Sequence, residues 1–406
     1  MMKEKENRIG MFGFGTVGQG IYKVLRNAVN AHASISRICV RDKNKKRGIS
    51  LPEGVLTENP DDIFNDPEID LIVEVVDNAE ASHSIVTRAL RRGLPVVSGN
   101  KTMIARHLPE LIGLQREYGT SLLYDASSCG SIPVIRNLEE YYDNDLLLEV
   151  KGILNGSSNY ILSRVFDHGE EYADALARAQ KLGFAESDPT HDISGNDSLN
   201  KLVIITLHAI GVYVPPKDIF VYGIPTLRAE DIRYAREKGM KIKLVAQVVK
   251  LSDAKFTMFV MPEFVAPNRY IYAVDDEYNG VVIRGECYDR QFMFGKGAGG
   301  RPTASSLLSD ITALRHNYRY EYKKSGFSPR PEYTADVTLK IYARYEHTDL
   351  RAGLPWIAVN EEYRCDEYRY VIGEIRLSDL ITAAPLLRAD DIFLCNFPRF
   401  FADRDD

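Results

Sequence analysis

The side chains best suited to chemistry are concentrated between Phe184 and Lys201, in the sequence FAESDPTHDISGNDSLNK. The ionisable members of this stretch are Glu186, Asp188, His191, Asp192, Asp197 and Lys201. Carboxylates and an ammonium this close together are suited to proton transfer and to binding a charged small molecule. The stretch leads directly into LVIITLHAIGVYV, whose apolar character predicts a core helix, so these charged groups are expected to lie against the protein interior.

The spacing of Asp197 and Lys201 is the most informative feature of this stretch. If a helix starts near Gly195, the two residues lie on one helical face, one turn apart. An N-terminal helix cap with one surface ion pair would explain the same spacing without any chemistry. The elements elsewhere in the chain decide between these interpretations.

A second candidate site follows the strand-like segment Arg8–Phe14, RIGMFGF. A G-x-G-x-x-G pattern closes this segment and opens an apolar helix, which is the order that a dinucleotide-binding turn requires. Here Gly13 would make the tight turn, Gly15 would leave room for a pyrophosphate and Gly18 would let helix and strand approach. A strand–helix turn without a ligand is the alternative. The predicted cofactor-binding residues of this turn are Gly13, Phe14, Gly15, Thr16, Val17 and Gly18.

The residues after the second predicted strand, Ile35–Val40, bear on the choice of cofactor. An acid at this point would hold the ribose diol of NAD, whereas an arginine would hold the 2′-phosphate of NADP. Arg41 comes first, Asp42 follows, and several further positive charges come next. We therefore expect NADP, with NAD possible, although a solvated basic loop would have the same composition.

Strand and helix patterns alternate through the first third of the chain. The segments 70–76, 95–101 and 121–125 are predicted to be strands, and a helix is predicted over 81–91. This alternation indicates a parallel, doubly wound sheet, in which ligands bind beyond the carboxyl ends of the strands. Lys101 is expected at such an end, where a functional role is favoured over a surface charge.

The middle of the chain changes character. A strand over Leu146–Leu154 ends at Asn155-Gly156, and the helix that follows could bind a substrate carboxylate with its free N–H groups or be an ordinary capped helix. Further β-branched segments predict a mostly antiparallel sheet. Glycines around Gly297 would allow close approach to the nicotinamide side of a cofactor, before a helix over 303–316.

The bulk properties of the chain narrow the class of protein. Its 406 residues predict two or three domains, and 45% hydrophobic and 27% charged residues are typical of a globular protein. A net charge of −6 argues against a nucleic-acid partner. Five scattered cysteines and a polar N-terminus predict a cytoplasmic protein with reduced thiols. The longest apolar run is too short for a membrane span, which takes roughly 20 residues.

Seven segments resemble the homoserine dehydrogenase family, in that family's order, between roughly residues 8 and 312. They are FGFGTVGQG, VVSGNK, YDASSCGSIPVIRNL, GILNGSSNYIL, LGFAESDPTHDISGNDSLNKL, YGIPTLRAEDIRYAREKGMKIKL and FGKGAGGRPTAS. The family reduces aspartate semialdehyde to homoserine with NAD(P)H. The resemblance therefore implies an oxidoreductase of threonine, methionine and isoleucine biosynthesis, with a small-molecule substrate and a homodimeric assembly.

The resemblance also implies a domain plan of the α/β class. An N-terminal Rossmann domain with a doubly wound parallel sheet is expected over 1–132. An α+β substrate-binding and dimerisation domain is expected over 133–317, with the helix 303–317 packing back onto the Rossmann domain. The alternating pattern after a proline-containing linker predicts a small C-terminal α+β appendage over 333–406.

Particular residues take roles from the resemblance. Lys201 matches the family's proton-donor lysine, Asp197 its acidic neighbour, and Lys101 the lysine between cofactor and substrate. Glu186 matches the glutamate that holds the substrate amino group, and Asp192 the second acid of an acid pair. In the family, loop carbonyls bind a monovalent cation, usually sodium. Those positions here are Asp125, Ser128, Gly130 and Ile132.

Two rival hypotheses rest on departures from the family pattern. Asp77-Asn78 stands where the family usually has two glycines, near the expected nicotinamide, and it would suit a catalytically impaired regulatory homologue. A semialdehyde dehydrogenase acting through a thioester would instead need a nucleophilic cysteine, for which Cys129 is the candidate. That reading leaves Glu186 and Lys201 without a purpose.

Overall fold

The computed structural model describes residues 6–398, and the chain separates into two compact units. The first unit comprises the residues up to 143 together with 296–323. The second comprises residues 144–295 together with those from 324 onward. The chain therefore leaves the first unit, builds most of the second, and returns to complete the first.

The first unit is built on a six-stranded sheet in which every pairing is parallel. The strand order is β3-β2-β1-β4-β5-β6, which is the order of a Rossmann sheet and confirms the doubly wound prediction. The central strand β4 is buried along its whole length, as expected for a sheet covered on both faces. The strands are β1 Asn7–Phe12, β2 Ala33–Cys39, β3 Leu56–Thr57, β4 Leu71–Glu74, β5 Val96–Ser98 and β6 Leu122–Leu123.

Two helices of this half begin at asparagine caps. The side chains of Asn78 and Asn100 each accept a backbone N–H from the first turn of the helix that follows, which fixes where that helix starts. The predicted strand over 95–101 ends at Ser98, and Lys101 is the first residue of a helix. The helices are α1 Thr16–Asn27, α2 Asp61–Phe64, α3 Ala79–Arg91, α4 Lys101–Glu117, α5 Ala126–Cys129 and α6 Val134–Glu140.

The second unit is built on a ten-stranded mixed sheet. Its order is β11-β10-β7-β8-β9-β16-β13-β15-β14, and β12 pairs with β9 in parallel. Strand β16 also runs parallel to β9. Antiparallel pairing joins β10 to β7, β7 to β8, β8 to β9, β16 to β13, β13 to β15 and β15 to β14. The strands are β7 Leu147–Ile153, β8 Lys241–Ser252, β9 Lys255–Val265, β10 Tyr278–Gly285, β11 Asp289–Lys296, β12 Glu332–Tyr333, β13 Thr338–Tyr345, β14 Ala358–Arg364, β15 Arg369–Arg376 and β16 Phe393–Phe397.

The C-terminal strands share this sheet and its core. Phe259 and Met261 of β9 lie in one apolar cluster with Ile341, Ile375 and other residues after position 336. The remaining helices are α7 Gly156–His168, α8 Tyr172–Leu182, α9 Thr190–Ile193, α10 Asn196–Ile210, α11 Ala229–Glu237, α12 Gly300–Leu314, α13 Leu350–Gly353 and α14 Leu377–Thr382. Helix α14 ends at Thr382, shortly before Pro385, and a separate 3-10 turn follows that proline.

Helix α12 belongs to the first unit, where it lies against α1. A Cβ added at Gly20 would lie 2.2 Å from the carbonyl oxygen of Gly300, so only glycine permits this approach. Ala304, Leu307 and Ile311 of α12 are fully buried in the core under β1. The returning segment thus contributes core residues to the Rossmann sheet. Among residues 6–398, no helix combines the length and the apolar character needed to cross a membrane.

Candidate active site

The second unit places Lys201 and Asp197 at the start of α10, both buried. Lys201 Nζ lies 2.7 Å from Asp197 Oδ2 and donates to the carbonyl oxygen of Leu154 at 2.5 Å. The side chains of Lys201 and Asp197 are 7% and 2% exposed, so the pair is almost removed from water. A buried ammonium held by one carboxylate and one carbonyl has two of its three N–H bonds engaged within the described residues. The third is available to a ligand.

The Asn155 side chain joins this pair to a second carboxylate. Its Nδ2 donates to Asp197 Oδ2 at 2.9 Å and to Asp192 Oδ1 at 2.8 Å. Its Oδ1 accepts the backbone N–H of Ser158 at 2.8 Å, which caps α7. One amide therefore orients two carboxylates and caps a helix; the capped helix predicted for this turn is confirmed, and its binding of a substrate carboxylate stays a prediction.

Local backbone geometry explains why these groups meet. Gly195 precedes α10 with φ +87°, a conformation that favours glycine. A Cβ added at Gly195 would lie 3.0 Å from Val221 Cγ2. At the other helix start, a Cβ added at Gly156 would lie 2.6 Å from the carbonyl oxygen of Glu277. Gly156 therefore permits a close backbone approach that brings the start of α7 next to the start of β10.

Glu186 lies on the exposed segment before α9, and that segment is tied to its surroundings through the backbone. Gln180 Nε2 donates to the carbonyl oxygens of Glu186 and Ser187, and Ser157 Oγ donates to that of Phe184 at 2.5 Å. The segment is thereby fixed at the start of α7. The Glu186 side chain is exposed, and its role in binding the substrate stays a prediction.

A buried network that the sequence did not reveal supports the start of α7. Asn159 Nδ2 donates to the carbonyl oxygens of Val274, Asp276 and Tyr278. Lys243 Nζ donates to Asn159 Oδ1 at 3.2 Å and to Asp275 Oδ1 at 2.9 Å. Burial lowers the pKa of Lys243. Burial opposes ionisation of Asp275, but Lys243 and Lys241 outweigh it, so the pKa of Asp275 is lowered.

In the first unit, the glycine turn has the shape that a dinucleotide requires. Gly13 has φ +95°, and a Cβ there would lie 2.5 Å from the carbonyl oxygen of Val75. A Cβ at Gly18 would lie 2.5 Å from the carbonyl oxygen of Gly13, whereas a Cβ at Gly15 would meet no non-neighbouring atom within 4 Å. The open space at Gly15 lies where α1 begins and where its N–H groups can face a phosphate. The residues present therefore fit a dinucleotide, with Thr16 and Val17 in the first turn of α1.

Arg41 is exposed, two residues beyond the end of β2. Asp42 Oδ1 accepts the backbone N–H of Asn44 at 2.8 Å, so this carboxylate takes part in the turn of its own loop. The Arg47 guanidinium donates to the carbonyl oxygens of Asp42 and Lys45 and so folds the basic segment on itself. Together these contacts place several positive charges beside the end of β2.

A buried carboxylate organises the sheet edge that carries Lys101. Glu74 is fully buried at the end of β4; it accepts the Val76 N–H at 2.6 Å and the Ser98 hydroxyl at 2.7 Å. Burial raises the pKa of Glu74. Asn100 Nδ2 donates to the carbonyl oxygen of Val76 at 2.8 Å, just before Lys101 begins α4. The loops after β4 and β5 are thus fixed to one another.

Asp77 and Asn78 have a structural use in this edge. Asn78 Oδ1 accepts the Ala81 N–H at 2.8 Å and caps α3, and both Asp77 and Asn78 are exposed. The pair that departs from the family's two glycines therefore starts a helix.

The loop from Asp125 to Ile132 is buried except at Ser131, and it is strongly hydrogen bonded. The carbonyl oxygen of Asp125 accepts from Ser128 N, that of Gly130 from the Ser306 hydroxyl, and that of Ile132 from Val134 N. A carbonyl oxygen has two lone pairs, so one hydrogen bond does not by itself prevent it from also binding a cation. The Ser128 hydroxyl has no hydrogen-bond partner within the described part of the chain. The loop thus fits a monovalent cation by its donor set.

Two neighbours hold this loop in place. The backbone N–H of Asp125 donates to Asp310 Oδ2 at 3.0 Å. Burial is the main cause, and the nearby Asp125 carboxylate the next, that raises the pKa of Asp310 to about 7. A Cβ at Gly130 would lie 2.5 Å from the carbonyl carbon of Gly297, so the glycine loop before α12 packs directly on it. Cys129, the candidate nucleophile of the thioester hypothesis, is fully buried.

A parallel sheet in this strand order, with a glycine turn at the start of its first helix, defines a dinucleotide-binding protein of the Rossmann class. The family description "Homoserine dehydrogenase, NAD binding domain" matches residues 13–125, and "Homoserine dehydrogenase" matches residues 133–312. The chain belongs to the homoserine dehydrogenase family.

Individual relatives extend this match over most of the chain. The homoserine dehydrogenase of Bacillus subtilis (strain 168) is 33% identical over 359 residues, which cover 84% of this chain and 82% of the relative. The crystal structure of a homoserine dehydrogenase from Thiobacillus denitrificans has a TM-score of 0.83 and 28% identity, covering 97% and 99% of the two chains. A hyperthermophilic archaeal homoserine dehydrogenase mutant in complex with NADPH has a TM-score of 0.66 and 25% identity, covering 78% and 99%.

Proposed function

We propose that this protein is an NAD(P)-dependent homoserine dehydrogenase of amino-acid biosynthesis, interconverting L-homoserine and L-aspartate 4-semialdehyde. The observation that carries the proposal is the buried pair of Lys201 and Asp197 at the start of α10, in a chain whose relatives bear this enzyme's name. Aldehyde reduction needs a hydride, a proton for the developing alkoxide, and groups that hold the substrate.

Lys201 supplies the proton in this proposal. Its ammonium stabilises negative charge on the aldehyde oxygen as it forms and then transfers a proton to give the hydroxyl group. Asp197 and the Leu154 carbonyl hold the ammonium in one orientation, and Asn155 holds Asp197. In the reverse direction the neutral amine accepts the proton of the homoserine hydroxyl.

The remaining polar groups recognise the substrate. Glu186 pairs with the α-ammonium, and Asp192, held by Asn155, adds negative charge to the same unit. The N–H groups at Gly156 in the first turn of α7 bind the carboxylate. The family resemblance gives Lys101 an assisting role, in which it pairs with the carboxylate or aids proton transfer. A substrate with both charges is thereby distinguished from a simple alcohol.

NAD(P)H supplies the hydride when bound. The turn from Gly13 to Gly18 holds the pyrophosphate, and Gly297 allows the backbone near the nicotinamide side to lie close. Arg41 binds the 2′-phosphate, so NADP is the preferred cofactor in this proposal. Two observations support it: the Asp42 carboxylate is engaged in its own turn, and a related archaeal enzyme is described in complex with NADPH.

Three further features complete the proposal. A monovalent cation such as sodium binds the carbonyl groups of Asp125, Ser128, Gly130 and Ile132 and stiffens that loop. The enzyme works in the cytoplasm as a homodimer. Replacing sodium by tetramethylammonium at constant ionic strength tests the cation, and an unchanged reaction rate would contradict it. Sedimentation analysis tests the dimer, and a monomer at working concentration would contradict it.

The experiment for the function compares matched substrates on the purified protein. Homoserine should support NADP⁺ reduction, whereas 4-hydroxybutyrate, which lacks the α-ammonium, and 2-aminobutyrate, which lacks the hydroxyl, should not. Equal rates with homoserine and 4-hydroxybutyrate would contradict the role of the acidic groups. If homoserine supports no reduction of either cofactor, the protein would be the impaired regulatory homologue instead. The names of the relatives argue against that alternative, because they are homoserine dehydrogenases.

A further inference from the structure

Two histidines and a glutamate meet on the surface of the first unit, away from the groups discussed above. His83 lies in the second turn of α3, and His107 and Glu110 lie three residues apart on α4. His83 Nε2 is 2.8 Å from Glu110 Oε2, and His107 Nδ1 is 3.7 Å from the same oxygen. The two imidazole rings stack with centroids 3.9 Å apart.

The geometry points to a binding site for a divalent transition-metal ion, of which Zn²⁺ is the representative, held by His83, His107 and Glu110. One ligand atom from each residue can be chosen so that all three lie within 4.8 Å of one another. Nitrogen and oxygen ligands at 2.0–2.2 Å around tetrahedral zinc are about 3.3 Å apart, so binding requires the ligand atoms to move closer together and the two stacked rings to turn until their nitrogens face one ion. A water molecule would complete four ligands.

The donor set and its surroundings suit such an ion. Two imidazoles and one carboxylate are ligands that zinc accepts readily, whereas Mg²⁺ and Ca²⁺ prefer oxygen alone. The nearby Glu80 and Arg106 pair with each other at 3.3 Å and nearly cancel in charge.

The two helices hold the ligands in place before any ion binds. Helix α3 starts at its Asn78 cap and α4 at its Asn100 cap, and both bury an apolar face in the first unit. The side chains of His83, His107 and Glu110 remain 27%, 35% and 43% exposed, so an ion from solvent can reach them. A bound ion would link α3 to α4, the helices that begin beside Asn78 and at Lys101.

An ordinary surface ion pair between His83 and Glu110 is the competing explanation, and metal binding distinguishes the two. The protein should be prepared without a histidine tag and stripped of metal. It should also carry Cys287→Ser, because Cys287 is an exposed free thiol that could bind zinc by itself. Zinc chloride is then titrated calorimetrically, and cobalt chloride is titrated while the visible absorption of tetrahedral cobalt is followed.

We expect one zinc ion per chain and a cobalt spectrum of tetrahedral type. His83→Ala and His107→Ala should each weaken binding by at least about tenfold. Glu110→Gln keeps the size and a hydrogen-bond acceptor for His83, and it should weaken binding too. The exposed His316 provides the matched control, so His316→Ala should bind as the parent does. Circular dichroism of the metal-free variants verifies that each is folded.

The inference is overturned by either of two results. One is the absence of saturable zinc binding at micromolar zinc, a concentration roughly a thousand times a nanomolar dissociation constant. The other is binding that His83→Ala and His107→Ala leave unchanged, which would show an adventitious ion only. Neither result depends on catalysis, so the site stands or falls independently of the proposed dehydrogenase activity.

Discussion

Asn155 donates a hydrogen bond of 2.9 Å to Asp197 across 42 residues of sequence, and the same amide caps α7. The side chain therefore combines a folding role with the orientation of the acid beside Lys201. Substitutions can separate the two roles, because serine retains an N-cap acceptor but has no amide donors.

We expect Asn155→Ala to lower both stability and turnover, with about 1 kcal/mol lost from the free energy of unfolding through the missing cap. Asn155→Ser should recover most of that stability but little of the turnover. Urea unfolding and steady-state kinetics of the two variants provide the measurement. Full recovery of turnover in Asn155→Ser would show that Asn155 acts only as a cap.

Glu186→Gln should raise the Michaelis constant for homoserine more than it lowers turnover, because the lost ion pair exists in ground and transition states alike. The exposed Glu237 on α11 provides a matched control, and Glu237→Gln should leave both constants unchanged. An unchanged Michaelis constant with lowered turnover would count against substrate binding by Glu186.

Arg41→Ala should weaken NADP binding by roughly tenfold to a hundredfold while leaving NAD binding nearly unchanged, because only the 2′-phosphate needs the guanidinium. Lys46→Ala, in the same exposed basic loop, controls for a general effect of charge and should change little. Fluorescence titration of both cofactors tests this. A wild-type preference for NAD, or equal losses for both cofactors in Arg41→Ala, would contradict the role.

Asp275→Asn should destabilise the protein by about 2–3 kcal/mol at pH 7, because it leaves Lys243 buried without its carboxylate partner. This is less than for a fully buried pair, since the Asp275 side chain is 34% exposed. Asp253→Asn, in an exposed pair with Lys250, is the control and should change little.

The pH dependence of that effect follows from the lowered pKa of Asp275. An acid with a lowered pKa in the folded state adds stability above its unfolded pKa and loses it as the pH falls through the folded value. The difference between wild type and Asp275→Asn should therefore be constant near neutrality and shrink below about pH 4. Urea unfolding at several pH values tests this; a difference that grows on acidification would refute the assigned pairing.

Much of the fold follows from local patterns. The glycine turn after β1 and the alternation of strands and helices predict the Rossmann sheet, because each depends on residues close in sequence. The same holds for Asp197 and Lys201, which are predicted to lie on one face of a helix starting near Gly195. The prediction is confirmed, because α10 follows Gly195 and Lys201 Nζ lies 2.7 Å from Asp197 Oδ2. Their catalytic roles stay predictions.

Other features depend on contacts between distant segments and could not be predicted. Strand β14 is exposed along most of its length, so it lacks the apolar alternation that identifies a strand. The pairing of β16 with β9 joins Asn396 to Glu263, and no local signal marks that choice. The bonds of Asn159 to the segment 274–278 likewise become visible only when α7 is placed beside it.

The most direct test of the central claim is the steady-state rate of homoserine-dependent NADP⁺ and NAD⁺ reduction by wild type and Lys201→Ala. We expect a measurable wild-type rate. Lys201→Ala should lose about 10²–10⁴-fold in turnover while its cofactor affinity stays nearly unchanged. Lys181→Ala, on the exposed end of α8, should behave as wild type. A Lys201→Ala variant that retains half of the wild-type turnover would contradict proton donation by Lys201. A wild type without homoserine-dependent reduction would contradict the proposed activity itself.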